Sequence, residues 1–389
     1  MPQPPLHNIR VIELARILAG PWAGQMLADL GADVIKVENP DGGDDTRKWG
    51  PPFVTAHDGE NLSAAYYHSC NRGKRSIAID FSTSEGAETV RQLVATADVL
   101  IENFKLGGLK KYGLDYESLK KINPKLVYCS ITGFGQDGPY APRAGYDFIV
   151  QGMSGLMSIT GPAGGEPQKV GVAVTDLFTG LYSVIAIQAA LRHAEATGQG
   201  QHIDMALFDA QISVLANQNL NFLVSGKSPV QMGNAHPNIA PYEVLPAADG
   251  HFILAVGNDG QFQKFCKTVG LDGLPQDPDF ATNAARVANR ERLREKMVEA
   301  LTRFERVPLL AKLDAAGVPA SPINTIGEMF SDPQVKARGM RMDIDDGQGN
   351  KLPSVRSPMR LSETPLAYGR PSPRLGEHTA EILAELEKK

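Results

Sequence analysis

The stretch Gly171-Val172-Ala173-Val174-Thr175-Asp176 ends on a carboxylate just where a long apolar segment begins. An Asp at such a place is by default a helix N-cap, accepting the unpaired amides of the first turn. Capping and catalysis can coincide, because the helix dipole favours the ionised form and a carboxylate held there can attack a carbonyl carbon. Asn71-Arg72-Gly73-Lys74-Arg75-Ser76 puts three cations on a glycine-containing turn, which reads equally as a solvated basic turn or as a phosphate site. Gly133-Phe134-Gly135-Gln136-Asp137-Gly138 fits the Gly-x-Gly-x-x-Gly pattern. A dinucleotide fingerprint needs a helix to open there at once, yet Pro139 and Pro142 follow and no acidic residue stands near position 158. The pattern therefore reads as a turn at the carboxyl end of a strand, where an open sheet still binds other ligands. The eight histidines form no His-Glu-x-x-His pair, and no Gly-x-Ser-x-Gly elbow is present. Gly226-Lys227-Ser228 is not a phosphate loop, since Asn221 stands where its first glycine belongs.

Alternating strand and helix signals must position these groups. Residues 9–14 form a short apolar run, Pro21 suits a first helical turn over 22–30, and Gly31 closes it. Strands follow at 34–37, 76–80, 99–102 and 126–131, with helices over 85–96 and 116–122. Such alternation means parallel βαβ units in an open, doubly wound sheet, so the fold class is α/β. From about residue 225 the texture changes to short β-like runs such as 252–256 and a charged amphipathic helix over 284–301. In that helix Leu293, Met297 and Leu301 recur every four residues, and its alternating charges read as a solvated face. After Asp346 the prolines at 353, 358, 365, 371 and 373 predict an extended arm, and a last helix starts near Thr379. The expected organisation is a large domain over 1–224, a small domain over 225–325, and a return arm with the end of the large domain over 326–389.

Composition narrows the class further. With 389 residues, 42% hydrophobic and 21% charged, the chain is a folded globular protein of two or three domains. A net charge of -5 argues against general nucleic-acid binding. Three cysteines, Cys70, Cys129 and Cys266, are too few and too dispersed for a disulfide scaffold or a Cys-rich zinc site, and no metal is expected. They fit a reducing, cytoplasmic location. The opening Met-Pro-Gln-Pro-Pro predicts no secretory leader, and the apolar run 177–191, interrupted by Thr179, Ser183 and Gln188, is expected to be a buried helix rather than a membrane span.

Several ordered blocks resemble the class III CoA-transferases, the family of formyl-CoA:oxalate and carnitine CoA-transferases. They include Leu18-Ala19-Gly20-Pro21, Leu30-Gly31-Ala32-Asp33, Gly43-Asp44-Asp45-Thr46-Arg47, Asn71–Ser76 and Asp98-Val99-Leu100-Ile101-Glu102-Asn103-Phe104. Ser130-Ile131-Thr132-Gly133, Arg143-Ala144-Gly145-Tyr146-Asp147 and Gly198-Gln199-Gly200-Gln201 continue the match over nearly the whole chain. Trp49-Gly50-Pro51-Pro52-Phe53 and the stretch from Ala235-His236 to Ala240-Pro241-Tyr242 are similar to the succinyl-CoA:glutarate type.

The resemblance implies a Rossmann-like large domain built from both chain ends, a smaller α/β domain, and an interlocked ring-like homodimer. It implies transfer of CoA from an acyl-CoA, such as succinyl-CoA, to a free carboxylic acid through an aspartyl anhydride and thioester. The CoA thioester is then a substrate and no cofactor is needed. The family's nucleophile falls on Asp176, and its CoA contacts fall on Ile17, Arg72, Arg75, Asn103, Phe104 and Lys111. Leu18 and Asn39 replace a glutamine and an arginine of the formyl-CoA enzyme. Val256-Gly257-Asn258-Asp259-Gly260 resembles the family's covering loop, which gives Gly257, Asn258 and Gly260 that task. Arg16, Arg143 and His236 are candidates for a distal carboxylate of the acid. The alternative on the same fold is an α-methylacyl-CoA racemase, which needs a histidine base where Tyr146 stands. A tyrosine, ordinarily titrating near about 10, is a poor base for that proton.

Overall fold

The computed structural model describes residues 2–388. Six strands form one parallel sheet: β1 (Arg10–Glu13), β2 (Asp33–Glu38), β5 (Arg75–Ala78), β6 (Val99–Glu102), β7 (Val127–Thr132) and β8 (His202–Ala206). Their order is β5-β2-β1-β6-β7-β8, all pairs parallel. A short hairpin, β3 (Phe53–Thr55) with β4 (Asn61–Ala64), stands outside it.

Between the strands run α1 (Ala19–Asp29), α2 (Ala65–Ser69), α3 (Ser84–Val94), α4 (Tyr116–Leu119), α5 (Asp147–Met153), α6 (Leu156–Ile159) and α7 (Val174–Thr197). After β8 come α8 (Leu207–Ser213) and α9 (Asn217–Ser225). Because side chains alternate across a strand, β1 sends Val11 to one face and Ile12 to the other. Val11 joins Ala23, Leu27, Val127 and Ile187 in one core, and Ile12 joins Ile35, Val90, Leu93 and Leu100 in the second.

The chain divides into two compact units. The first holds the residues up to Leu156, Lys169–Ser225 and everything from Pro333 onward; the second holds Met157–Gln168 and Gly226–Asp332. Residues 157–168 and 326–332 thus pack with the second unit, not with the large domain and arm drawn from sequence. In the second unit β9 (Tyr242–Ala247), β10 (Gly250–Ala255) and β11 (Ala320–Pro322) form an antiparallel sheet in the order β11-β10-β9. It packs with α10 (Asp259–Val269), α11 (Asn283–Ala288), α12 (Arg290–Leu301) and α13 (Arg306–Ala315) around Phe252, Phe265, Leu293, Met297 and Leu301. The single helix expected over 284–301 breaks at Asn289 (φ -107°, ψ 28°), whose side-chain amide donates to the Asp279 and Ala285 carbonyls at 3.2 and 3.1 Å.

The returning arm first forms a hairpin, β12 (Arg341–Asp345) with β13 (Lys351–Val355), which the prolines did not foretell. It then fastens to the first unit: Ala367 N–H donates to Asp29 O at 2.8 Å, Gly73 N–H to Arg370 O at 3.0 Å and His378 N–H to Ser76 O at 2.9 Å. The C-terminal helix Thr379–Glu387 closes the unit with Ile382 in the second core.

The apolar run expected as a buried helix is the 24-residue α7, long and apolar enough by composition to cross a bilayer. Only one side of it is buried. Gly180 lies against α1, where a Cβ would stand 2.8 Å from the Ala19 carbonyl oxygen, while Leu181, Tyr182 and Ile185 are exposed.

Candidate active site

β1 is paired with β2 on one side and β6 on the other, and the chain builds outward from it in both directions. The switch point of the sheet is therefore the gap between β1 and β6, and an open α/β sheet binds its ligands outside the carboxyl ends of such strands. Those ends are Glu13 and Glu102.

The loops leaving them are joined. Asn103 Oδ1 accepts the Arg16 N–H at 2.9 Å, and its Nδ2 donates to the Arg16 carbonyl at 2.7 Å. Ile17 adopts φ 73°, a costly left-handed conformation for a β-branched residue. Its N–H donates to both Asp44 oxygens at 3.3 Å. Beneath this loop lies a dry charge cluster: Lys36 bonds Glu13 at 3.0 Å and Asp44 at 2.9 Å, and Lys74 bonds Glu13 at 2.8 Å, with all four side chains at most 1% exposed. Burial works against the Asp44 charge, but Lys36 and the Thr46 groups outweigh it and hold the carboxyl at about 2. Lys36 and Lys74 also donate to the carbonyls of Ala15 and Pro21, each at 2.9 Å, which braces the loop backbone.

On the β6 side Glu102 accepts the Phe104 N–H at 2.7 Å, and burial pushes its carboxyl up to about 7. A chain of rings then leads outward: Phe104 to Phe81 at 5.6 Å, Phe81 to Tyr112 at 5.7 Å, and the Lys111 ammonium 4.6 Å over Tyr112. Arg16 lies 5.6 Å over Phe104 and bonds Asp45 at 2.9 Å. Ile17, Asn103, Phe104 and Lys111 thus gather on the carboxyl side of the sheet, as does Asn39 at the end of β2.

Arg72 and Arg75 do not, and the phosphate role expected of them is corrected here. Arg75 opens β5 and bonds Asp33, which opens β2, at 2.6 and 2.9 Å, with Glu381 at 2.9 Å and Glu385 at 2.6 Å. It therefore sits at the amino edge of the sheet, away from the switch-point loops. Arg72 forms a two-pronged pair with Asp29 at 2.6 and 2.8 Å and donates to the Val355 carbonyl at 2.8 Å. Both guanidinium groups are buried, and their donors are spent on the protein itself.

Asp176 is not an N-cap. Ala173 occupies that position and Asp176 is the third residue of α7; the Thr175 amide is instead capped by Asp147 Oδ1 at 2.9 Å. The dipole does not settle its charge either, because burial and then the negative charge of Asp147 push the Asp176 carboxyl up to about 7. The residue stays partly accessible. Tyr66 on α2 faces the same place, and burial together with Asp176 raises its hydroxyl to about 12. The approach of α5 depends on a backbone crossing in which a Cβ on Gly133 would meet the Gly145 Cα at 2.5 Å. The Gly133–Gly138 stretch is a turn after β7, and no helix opens before α5.

Arg143 is exposed, 4.6 Å over the Tyr140 ring, and Tyr146 is the 63% exposed N-cap of α5. The second unit holds the remaining candidates. His236 Nδ1 accepts the Asn238 N–H at 3.1 Å. In the stretch expected as the covering loop, Asn258 caps α10 by accepting the Gln261 N–H at 2.9 Å. Gly257 N–H donates to Gln261 Oε1 at 2.8 Å, and Gly260 is already helical. Asp147, Tyr66 and Glu102 went unassigned at the sequence level. Asp147 stands in the family-like block Arg143–Asp147, but no role follows from that, and nothing in the sequence names its partner Thr175.

Fold and site together define an α/β protein with a parallel sheet whose strand order reverses between β1 and β6 and, in the same unit, a partly accessible carboxylate held well above its ordinary range. The chain belongs to CoA-transferase family III, which it matches over residues 6–379. It is 65% identical over 385 residues to succinate–glutarate CoA-transferase of Agrobacterium fabrum, covering 99% of this chain and 96% of that protein. It is 41% identical over 382 residues to human succinyl-CoA:glutarate CoA-transferase, covering 98% and 86% respectively. The crystal structure of a CaiB/BaiF family protein from Brucella suis superposes with a TM-score of 0.88 at 62% identity, covering 99% of this chain and all of that one. The protein is thus a CoA-transferase.

Proposed function

We propose that this enzyme moves CoA from succinyl-CoA to a dicarboxylic acid of the glutarate class, with Asp176 as nucleophile. The names of the relatives support the substrate class, and the observation that carries the mechanism is a partly accessible Asp176 raised to about 7 on the first turn of α7. A carboxylate of raised basicity is a stronger nucleophile that is still substantially ionised at neutral pH.

The Asp176 carboxylate attacks the thioester carbonyl, the carbon–sulfur bond breaks, and CoA leaves as thiolate from a mixed anhydride. The thiolate attacks the aspartyl carbonyl of the anhydride, giving an aspartyl-CoA thioester and free succinate. The acceptor carboxylate attacks that thioester and expels CoA thiolate from a second anhydride. Attack of the thiolate on the acceptor's acyl carbon gives the new acyl-CoA and restores Asp176. Each intermediate keeps the transfer potential of the thioester, which a serine ester would lose. No redox step and no cofactor enters.

Lys111, with Lys105 and Lys110 on the same exposed stretch after β6, supplies the cations for CoA phosphates in this reading. The assembly we propose is the interlocked homodimer of cytoplasmic enzymes, without a membrane role. Its support is the exposed apolar face of the first unit, with Phe148 on α5, Ile185 on α7 and Leu223 on α9 at 57%, 64% and 72% exposure.

Incubation with succinyl-CoA and no acceptor, followed by hydroxylamine, should convert Asp176 alone to a hydroxamate detectable by peptide mass. Asp176→Asn should fold and lose transfer by several orders of magnitude. Near-normal turnover in that variant would place the nucleophile elsewhere.

A further inference from the structure

The polar groups around the start of α7 form one connected set within the first unit, with Asp147 half-buried at its centre. Asp147, the first residue of α5, accepts the Thr175 N–H on Oδ1 at 2.9 Å and the Gln151 side-chain amide on Oδ2 at 2.7 Å. Gln151 Oε1 accepts the Val170 N–H at 2.9 Å, and Thr175 Oγ1 donates to Gln211 Oε1 of α8 at 2.8 Å. Thr175, Gln151 and Gln211 are at most 1% exposed. Both carboxylate oxygens of Asp147 are therefore held by groups that cannot swing away, and one of those groups is the amide next to Asp176. An Asn could accept from Thr175 equally well, so hydrogen bonding alone does not call for the charge.

We infer that Asp147 is a positioning residue for the reaction at Asp176, fixing the first turn of α7 and keeping a negative charge beside the nucleophile throughout the cycle. The inference rests on Asp176 being that nucleophile. The negative charge of Asp147, whose carboxylate holds the amide next to Asp176, disfavours the ionised form of Asp176. The anhydride and thioester forms carry no charge at Asp176, since the negative charge passes first to the departing CoA sulfur and then to the released succinate carboxylate. The repulsion is thus present in the resting enzyme and relieved on acylation, which drives the carboxylate toward its covalent states. It also makes Asp176 more basic and hence more nucleophilic. Asp147 on α5 is the titratable group acting on Asp176, and Asp176, Cys70, Asp147 and Asp44 act in turn on Tyr66 of α2. Gln211 of α8, and Ala19 and Trp22 of α1 where it packs on α7, bring no charge.

The test compares Asp147→Asn, Asp147→Glu and Asp176→Asn in the full-length enzyme. Each is checked for folding by circular dichroism, and kcat/KM for succinyl-CoA is followed against pH. In Asp147→Asn the acid limb should move down by about one pH unit. The acyl-enzyme trapped by hydroxylamine should fall about tenfold, and kcat should fall more than KM rises. Asp147→Glu, which keeps the charge, should hold the limb at its wild-type position. An unmoved limb in folded Asp147→Asn, with Asp176→Asn inactive, would overturn the inference and leave the nucleophile standing. Turnover retained in Asp176→Asn would overturn the nucleophile and the inference with it. Should Asp147→Asn not fold, Asp147→Ser, which keeps an oxygen for Thr175 without the charge, replaces it. If neither neutral variant folds, Asp147 is a structural clamp alone and the inference fails.

Discussion

Asn103 grips the main chain of Arg16 from both sides, accepting its N–H at 2.9 Å and donating to its carbonyl at 2.7 Å. One side chain thereby locks the loop after β1 to the loop after β6, across the gap where the sheet changes direction. The link joins the two edges of the place where an open sheet binds its ligand. Asn103→Ala removes both bonds and should raise the KM for succinyl-CoA several-fold with a smaller change in kcat. Stability should fall by about 1–2 kcal/mol, the usual range for two partly exposed hydrogen bonds. Initial rates and urea unfolding check both figures. An unchanged KM would mean that the loop is held without Asn103.

Arg72 and Arg75 hold the enzyme together instead of its substrate. Arg72→Ala leaves Asp29, 1% exposed, without its guanidinium partner, and should cost about 3–5 kcal/mol. Arg75→Ala releases Glu381, leaves Glu385 only its bond to Arg10 at 3.0 Å, and should make the C-terminal helix the first site of proteolytic cleavage. The KM for succinyl-CoA should stay within about twofold of wild type in whatever fraction folds. A large rise in KM at unchanged stability would restore the phosphate role to this turn.

Asp176 binds its proton more tightly in the folded chain than its ordinary value of 3.8 allows, because burial and Asp147 both disfavour the charge. Its contribution to stability is therefore fully present below about 3.8 and is lost as pH rises through about 7. Asp176→Asn stays neutral throughout. Its melting temperature should exceed that of wild type by a margin that grows from pH about 4 to about 7 and then levels off. A capping role predicts a flat comparison, since Asn caps as well as Asp.

Lys111 is exposed, and its ammonium rests over the Tyr112 ring. If it receives a phosphate of CoA, Lys111→Ala should raise the KM for succinyl-CoA by roughly fivefold, equivalent to about 1 kcal/mol. The difference from wild type should shrink as salt rises, because exposed pairs are screened. An effect independent of salt would point to lost packing on Tyr112 instead.

An interlocked dimer separates only by unfolding. Sedimentation at nanomolar concentration should show the dimer alone, and a folded monomer there would remove the proposed topology. Ile185→Lys, placing a charge on the exposed face of α7, should then lower the yield of folded protein instead of producing a monomer.

Local physics made much of this molecule legible in its sequence. The strand at 99–102 lies where the apolar run and its flanking Asp98 put it, and the helix start at Thr379 likewise. Leu293, Met297 and Leu301 fall on the buried side of α12 because a four-residue repeat places them on one face. The ordered blocks carried the family, since they record side chains and not geometry. Three things belonged to tertiary structure. A run of cations says nothing about who neutralises it: the partners of Arg72 and Arg75 are Asp29, Asp33 and Glu385, which lie up to 310 residues away in sequence. The helix cap at Thr175 comes from Asp147, 28 residues earlier, which no local pattern can announce. The charge state of Asp176 follows from what surrounds it: a dipole argument considers one helix, whereas burial and a neighbouring carboxylate depend on where the other helices lie.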